Sequence, residues 1–356
     1  MNTTKKLLAV LLASVSIFAI QPAASAKTEE WVDTQGTKFK GDPVDVYGPF
    51  AIFRSGKYTG RRALLGMLNT ADCVRVAELL KARPALSPDW SASKSPIAQD
   101  LKGSVNLLRD NKLAPENIAS RREPRFIIIV WGNHGEGKSW QTLDAAMNAQ
   151  KVIAPAFPGL VEWVYAGVKH SEKDHLAMAK AKQLPFLITD LSAQSSMTRL
   201  PGFAPVEQGW GATVLTADGV PLFQDSPENE EKMKAFFDNV ISFLQLGLPE
   251  NPRGWKDRLH YVSAVRKAAH LKDSCPPELV GHVLSVEALK RNGATALKAT
   301  LRVAPTGEVT TVDLDPAGVP EKLRAPIANA LRQSAVAPAV DRGQFVEGAL
   351  TLELPF

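Results

Sequence analysis

The hydrophobic pattern begins with an uncharged apolar stretch from Leu7 to Ile20, preceded by Lys5 and Lys6 and followed by small residues up to Ala26. A basic start, an apolar stretch and a small-residue end are typical of a cleaved secretion signal. The apolar stretch has roughly fourteen residues, whereas a membrane-spanning helix needs about twenty. We therefore interpret residues 1–26 as a signal peptide. We expect an exported protein, periplasmic or secreted, without a transmembrane segment after cleavage.

Residues 27–85 show short alternating apolar runs separated by glycines, which predict a small β module. The runs are Trp31–Asp33, Asp45–Tyr47 and Phe50–Phe53. A helix from about Ala71 to Lys81 closes the module, with Asn69-Thr70 as its predicted cap. Residues 86–100 are rich in Ser, Pro and Asp and have little periodicity, so we interpret them as a linker.

Residues 101–247 alternate between strand and helix patterns. The predicted elements are strand 126–131, helix 139–153, strand 161–168, helix 172–183, strand 186–189, strands 212–216 and 220–223, and helix 228–246. The two late strands flank Ala217-Asp218-Gly219, and an Asp-Gly turn between strands indicates a hairpin. The pattern predicts an α/β domain whose sheet is parallel in its first half and antiparallel in its second.

Residues 248–274 are predicted to be a helical connector, with a helix over Trp255–Leu271. Residues 275–356 contain strand patterns, a helix at about Pro320–Ser334 and a last strand at Gly348–Leu354. The predicted fold class is therefore multidomain, with α+β and α/β parts.

Charge and composition restrict the function classes. The formal charge of +5 falls by two, to +3, when the signal with Lys5 and Lys6 is removed, and so small an excess does not indicate a nucleic-acid partner. No His, Cys, Asp and Glu cluster has metal-ligand spacing, so we predict no metal and no cofactor.

The two cysteines, Cys73 and Cys275, lie in different predicted modules. An exported protein could join them by a disulfide or keep them as separate thiols.

One motif, Gly132-Asn133-His134-Gly135-Glu136-Gly137-Lys138-Ser139, fits the phosphate-loop pattern between a strand and a helix. In that interpretation backbone N–H groups would cradle phosphates, Lys138 would reach them and Ser139 would hold magnesium. Two observations oppose it: an exported protein meets little ATP, and the Asp-Gly hairpin does not belong to the continuing parallel strands of a nucleotide-hydrolase core. A P-loop nucleotide-binding protein remains an alternative.

The same segment resembles the nucleoredoxin and peroxiredoxin branch of the thioredoxin-like superfamily over about 145 residues. In that family a strand leads into a Trp-Cys-x-x-Cys loop before a helix. Aligning strand and helix puts His134 at the Trp, Gly135 and Lys138 at the two cysteines, and Glu136-Gly137 between them. The family's cis-proline position reads Trp210-Gly211-Ala212. The resemblance thus implies a thioredoxin-like fold with a degenerate redox loop, because no thiolate is present to attack a disulfide.

Two flanking resemblances complete the organisation. Residues 31–39 and Leu68-Asn69-Thr70-Ala71-Asp72 resemble the small Src-homology-3-like β module of a yeast endocytic adaptor, which implies protein or peptide contact. The stretch from Leu297 to Phe356 resembles the C-terminal domain of TonB-type transducers, although Val336 replaces the aromatic residue before Pro-Ala. The chain has no proline-rich spacer, so a binding fold is implied rather than energy transfer.

We therefore predict binding or assembly in the cell envelope, with a protein or peptide partner and no catalytic residue. The first alternative is a thiol–disulfide oxidoreductase accessory that uses Cys73 and Cys275. The second is the phosphate loop, through Gly132, Gly137, Lys138 and Ser139.

Overall fold

The computed structural model describes residues 28–103, 105–133, 135–167, 172–189 and 210–355. The predicted signal, 1–26, and the aligned His134 lie outside these ranges. Within them, no helix is long and apolar enough to cross a membrane.

The first module consists of five short strands and one helix. The strands are β1 (Glu30–Val32), β2 (Lys38–Lys40), β3 (Asp42–Tyr47), β4 (Phe50–Gly56) and β5 (Thr59–Leu64), followed by α1 (Thr70–Lys81). β1 pairs with β2, while β3, β4 and β5 form an antiparallel sheet. The Asn69 side chain accepts the Asp72 N–H, so the predicted cap and helix are confirmed.

The segment predicted to be a linker, residues 86–100, instead packs against the central sheet, together with Leu101. They contain a 3₁₀ turn at Trp90–Ala92 and α2 (Pro96–Leu101), and the Trp90 side chain is fully buried. The buried Glu123 carboxylate accepts the Ser87 N–H at 2.8 Å and the Ser93 hydroxyl at 2.6 Å. The polar composition suggested a linker, but these polar groups bond to each other while the apolar side chains cover the sheet.

The central domain is a seven-stranded sheet with helices on both faces. Its elements are β6 (Val105–Arg109), β7 (Lys112–Pro115), β8 (Phe126–Gly132), α3 (Gly137–Ala156), β9 (Val161–Gly167), α4 (Glu172–Lys182), β10 (Leu187–Thr189), β11 (Trp210–Thr216), β12 (Pro221–Asp225) and α5 (Glu230–Leu246). The strand order is β12-β11-β8-β9-β10-β6-β7. β8, β9 and β10 are parallel, whereas β11 runs antiparallel to β8.

This arrangement confirms the predicted parallel first half and antiparallel hairpin. Every residue of β8 is buried, in agreement with its bare apolar sequence. The β6–β7 hairpin was not predicted; its turn residues Asp110 and Asn111 have φ of 48° and 59°, as a two-residue hairpin turn requires.

The two outer strands of this sheet have different surroundings. β12 lies beside β5 of the first module, where Tyr58 packs so closely on the turn that a Cβ added to Gly219 would lie 2.7 Å from its ring. β7, at the opposite end, begins with Lys112 and ends with Pro115.

The C-terminal part begins with a connecting helix and continues as a small α+β domain. Its elements are α6 (Trp255–Ala269), β13 (Ser274–Cys275), β14 (Glu278–Gly281), α7 (Val286–Arg291), β15 (Ala296–Val303), β16 (Val309–Leu314), α8 (Glu321–Arg332), β17 (Ala335–Ala337), β18 (Ala339–Asp341), β19 (Gln344–Val346) and β20 (Gly348–Pro355). α6 packs on α1 and on β17, so it links the first and last modules. The predicted helices and last strand are present, whereas the TonB-type relationship stays a prediction.

Candidate functional site

The loop between β8 and α3 is the segment that the thioredoxin-like resemblance aligned with the family's redox loop. β8 ends at Gly132, and α3 begins at Gly137, two residues before the predicted start. Gly132 lies against the first turn of the helix, since a Cβ added there would be 2.9 Å from Ser139 Cβ. We call residues 132–139 the α3 loop.

Hydrogen bonds within the α3 loop use the groups that a phosphate would need. The Asn133 N–H donates to Ser139 Oγ at 2.7 Å, and the Gly135 N–H donates to Asn133 Oδ1 at 3.1 Å. The Glu136 N–H donates to the Asn133 carbonyl at 3.0 Å. Ser139 is only 1% exposed, so its hydroxyl supports the loop and is not available to magnesium.

The phosphate-loop interpretation is therefore not supported by the geometry. A phosphate loop leaves its backbone N–H groups open to the ligand, whereas here three of them already have acceptors. β11, directly beside β8, also runs antiparallel to it.

Lys138 lies beside the β11–β12 hairpin. Its ammonium is 4.8 Å from the centre of the Trp210 ring, and Trp210 is paired in register with Gly132. The Trp210 indole N–H donates to the Pro227 carbonyl at 3.2 Å. A cation over an aromatic face is favourable, so this contact with β11 holds the Lys138 side chain at the start of α3.

Gly211, in the segment that the resemblance aligned with the family's cis-proline position, has a steric role that the sequence did not indicate. Gly211 has φ of +150°, and a Cβ added there would lie 2.7 Å from the Asp225 carbonyl oxygen and 2.8 Å from Trp131. Only glycine fits this crowded, left-handed backbone. The signal in the sequence was the glycine directly before the strand predicted at 212–216.

The sequence also did not indicate a buried polar cluster that lies below the α3 loop. The Tyr165 hydroxyl donates to Met178 Sδ at 2.7 Å and lies 3.4 Å from the Gly132 carbonyl. Burial raises its pKa far above the ordinary value, so the phenol stays protonated. His175 is buried with its ring against Gly167, where no side chain would fit. In the described ranges no group of His, Cys, Asp and Glu could hold a metal.

The two cysteines are free thiols with separate surroundings. Cys73 is buried in α1 with its Sγ 3.8 Å from the Leu65 carbonyl, and burial raises its pKa to about 12. Cys275 is half-buried on β13, where the Arg266 guanidinium donates to its Sγ at 3.1 Å. The structure therefore does not contain the disulfide between Cys73 and Cys275 that the sequence left open. Neither of these two sulfur contacts involves the α3 loop.

Comparisons with known proteins give distant structural likenesses. A secreted disulfide oxidoreductase of Mycobacterium tuberculosis, homologous to E. coli DsbE, is 14% identical, with 40% of this chain and 98% of that chain covered and a TM-score of 0.27. A thioredoxin-family thiol:disulfide interchange protein of Chlorobium tepidum is 14% identical, with 47% and 97% covered and a TM-score of 0.29. Peroxiredoxin Q of Xanthomonas campestris is 9% identical, with 40% and 90% covered and a TM-score of 0.28. No family model and no curated protein matches the chain.

Proposed function

We propose that this protein is an exported, thioredoxin-fold binding protein that acts without thiol chemistry, by contact with a protein or peptide in the cell envelope. The observation that supports the proposal is the sequence of the α3 loop, in which the resemblance aligns Gly135 and Lys138 with the two reactive cysteines. Disulfide exchange requires an attacking thiolate, and this loop has no sulfur.

The properties of Cys73 support the same conclusion. A thiol with a pKa of about 12 is almost fully protonated at neutral pH and is a poor nucleophile. Its position in the core of the first module also excludes a protein disulfide from reaching it without unfolding.

An insulin-reduction assay with dithiothreitol tests the proposal. We expect the protein not to accelerate reduction, and we expect Cys73→Ser and Cys275→Ser to behave like the parent protein. Acceleration that disappears in Cys275→Ser would overturn the proposal in favour of a thiol–disulfide oxidoreductase accessory.

Restoring the sulfurs provides a positive control for the alignment. In the double variant Gly135→Cys/Lys138→Cys, a cysteine near the start of α3 would have a lowered pKa, because the helix N-terminus favours the thiolate. We expect this variant to acquire insulin-reduction activity. A folded double variant without activity would contradict the equivalence of these positions with the family's cysteines.

Export is tested separately by mass spectrometry of the protein secreted from its native cell. The proposal expects a mature N-terminus at Lys27, after the small residues that end the signal. An intact Met1 on a protein retained in the cytoplasm would overturn this part.

A further inference from the structure

The central domain has an open groove between two helices, away from the α3 loop. α3 and α5 pack side by side on one face of the sheet, and the groove between them has a volume of about 760 Å³. Its apolar lining comes from both helices: Ala145, Ala149, Val152, Phe237 and Ile241. Val152 is 52% exposed, whereas Ala149 and Ile153 of the same helix are buried.

The rim of this groove is acidic. Among the described residues, four carboxylates line it, from Asp144, Glu230, Glu231 and Asp238, together with one ammonium, that of Lys234. Lys234 is paired with Asp238 at 2.5 Å, and Asp144 is paired with Lys182 at 2.5 Å. Within the described part of the chain, Glu230 and Glu231 are in no ion pair.

Helix stability explains only part of this charge. Glu230 and Glu231 lie in the first turn of α5, where acidic side chains favour the positive end of the helix dipole. Asp144 and Asp238 lie further along their helices, where the dipole contributes little. Asp144 and Asp238 are each paired with a lysine, so the net negative charge of the groove comes from Glu230 and Glu231.

We propose that this groove binds a cationic amphipathic helix of a partner protein. The inference rests on the proposed function, because a domain without thiols acts through contact. Two packed helices leave a groove into which a third helix can place side chains spaced three and four residues apart. The lining from Gln141 to Val152 corresponds to about 16 Å of helix, or roughly three turns of a partner.

The charge selects this partner over a second copy of the chain. In a symmetric dimer across this groove, the same carboxylates of both copies would approach each other. A partner helix with lysines or arginines beside an apolar stripe would instead place its positive charges at the carboxylates. Its leucines would cover Val152 and Ile241.

Peptide binding measured by fluorescence anisotropy tests the proposal with the purified protein. The probe is a designed 15-residue amphipathic helix with one leucine stripe and lysines elsewhere; a glutamate-for-lysine twin and a scrambled peptide of the same composition are compared. We expect the lysine peptide to bind at least about tenfold more tightly than either comparison peptide, with affinity that falls as salt increases. Equal binding of all three, or no binding, overturns the proposal.

Matched charge reversals locate the binding surface. Glu230→Lys/Glu231→Lys should weaken binding of the lysine peptide by at least about tenfold. The control, Glu287→Lys/Glu321→Lys, reverses two first-turn glutamates of α7 and α8 and should leave binding unchanged. Val152→Asn should weaken binding without altering the salt dependence. An equal response of both double variants, with circular dichroism unchanged, overturns the groove assignment.

Two further measurements separate the other outcomes. Self-association in sedimentation that Val152→Asn abolishes would replace the proposal by a dimer interface. Absence of peptide binding together with absence of insulin reduction overturns the groove and leaves the proposed function standing, whereas insulin reduction overturns the proposed function.

Discussion

The α3 loop and the junction between the first module and the central sheet are built in opposite ways. The loop is held by hydrogen bonds from its backbone N–H groups to the neutral side chains of Ser139 and Asn133, and it carries one exposed lysine. The junction has Arg125 bonded through two nitrogens to Asp45, at 2.7 and 2.6 Å, and Tyr47 donating to the Leu244 carbonyl at 2.6 Å. These two interactions join the first module to the central domain and do not surround a reactive group.

The largest expected effect is at the junction, for Arg125→Ala. The variant loses the paired contact with Asp45 and the bond to the Val46 carbonyl, and it leaves the Asp45 carboxylate without its main partner. We expect the free energy of unfolding to fall by about 3 kcal/mol, measured by urea denaturation. Lys234→Ala, which breaks an exposed pair on α5, is the control and should cost less than about 0.5 kcal/mol. Similar losses in both variants would contradict the contrast.

A pH series examines the same junction through Tyr47. Burial raises the pKa of Tyr47 to about 12, whereas an unfolded tyrosine titrates near 10. The folded state favours the protonated phenol, so this stabilisation is complete below about pH 10 and is lost as the pH rises through about 12. Tyr47→Phe has no proton to lose, so its stability should fall by about 2 kcal/mol less than that of the parent over this interval.

The pH comparison has an internal control. At pH 7 the substitution removes only one hydrogen bond, to the Leu244 carbonyl, and should cost about 1 kcal/mol. A difference between variant and parent that stays constant from neutral to alkaline pH would show that Tyr47 does not titrate as proposed.

Two glycines of the α3 loop provide a smaller, paired test. Gly132→Ala would force its Cβ against Ser139 and should cost about 1–2 kcal/mol. Gly137→Ala meets no atom within 4 Å and lies at the start of α3, so it should be neutral or stabilising by up to about 1 kcal/mol. Thermal denaturation distinguishes the two, and equal effects would contradict the close approach at Gly132.

The smallest expected effect is for Lys138→Ala. It removes an exposed contact with the Trp210 ring, worth about 0.5 kcal/mol. We expect calorimetric titration with Mg-ATP to give no heat of binding for the parent protein or for the variant. Micromolar ATP binding that is abolished by this substitution would restore the phosphate-loop interpretation.

Local signals in the sequence predicted much of the fold. Asn69 predicted the start of α1, the apolar run at Phe126 predicted β8, and Asp218-Gly219 predicted the β11–β12 hairpin. The segment around Trp90 was assigned wrongly, because its burial depends on a sheet formed by residues far along the chain.

The candidate site was only partly predictable. The absence of sulfur at Gly135 and Lys138 follows from the sequence, but the use of the Ser139 hydroxyl within the loop depends on its three-dimensional geometry. The junction was not predictable either, since Asp45 and Arg125 are 80 residues apart and Tyr47 and Leu244 are 197 apart. No periodic pattern in the sequence predicts contacts between residues so far apart along the chain.

The position of the first module beside β12 also affects how the central sheet meets other chains. An uncovered outer strand offers unpaired N–H and C=O groups to another chain and promotes aggregation. β5 and Tyr58 lie against the β12 end, while the opposite outer strand, β7, carries a lysine and a proline that disfavour strand pairing. The first module therefore covers one outer edge of the central sheet. Its removal would expose β12, to which a strand of another copy of this protein could pair.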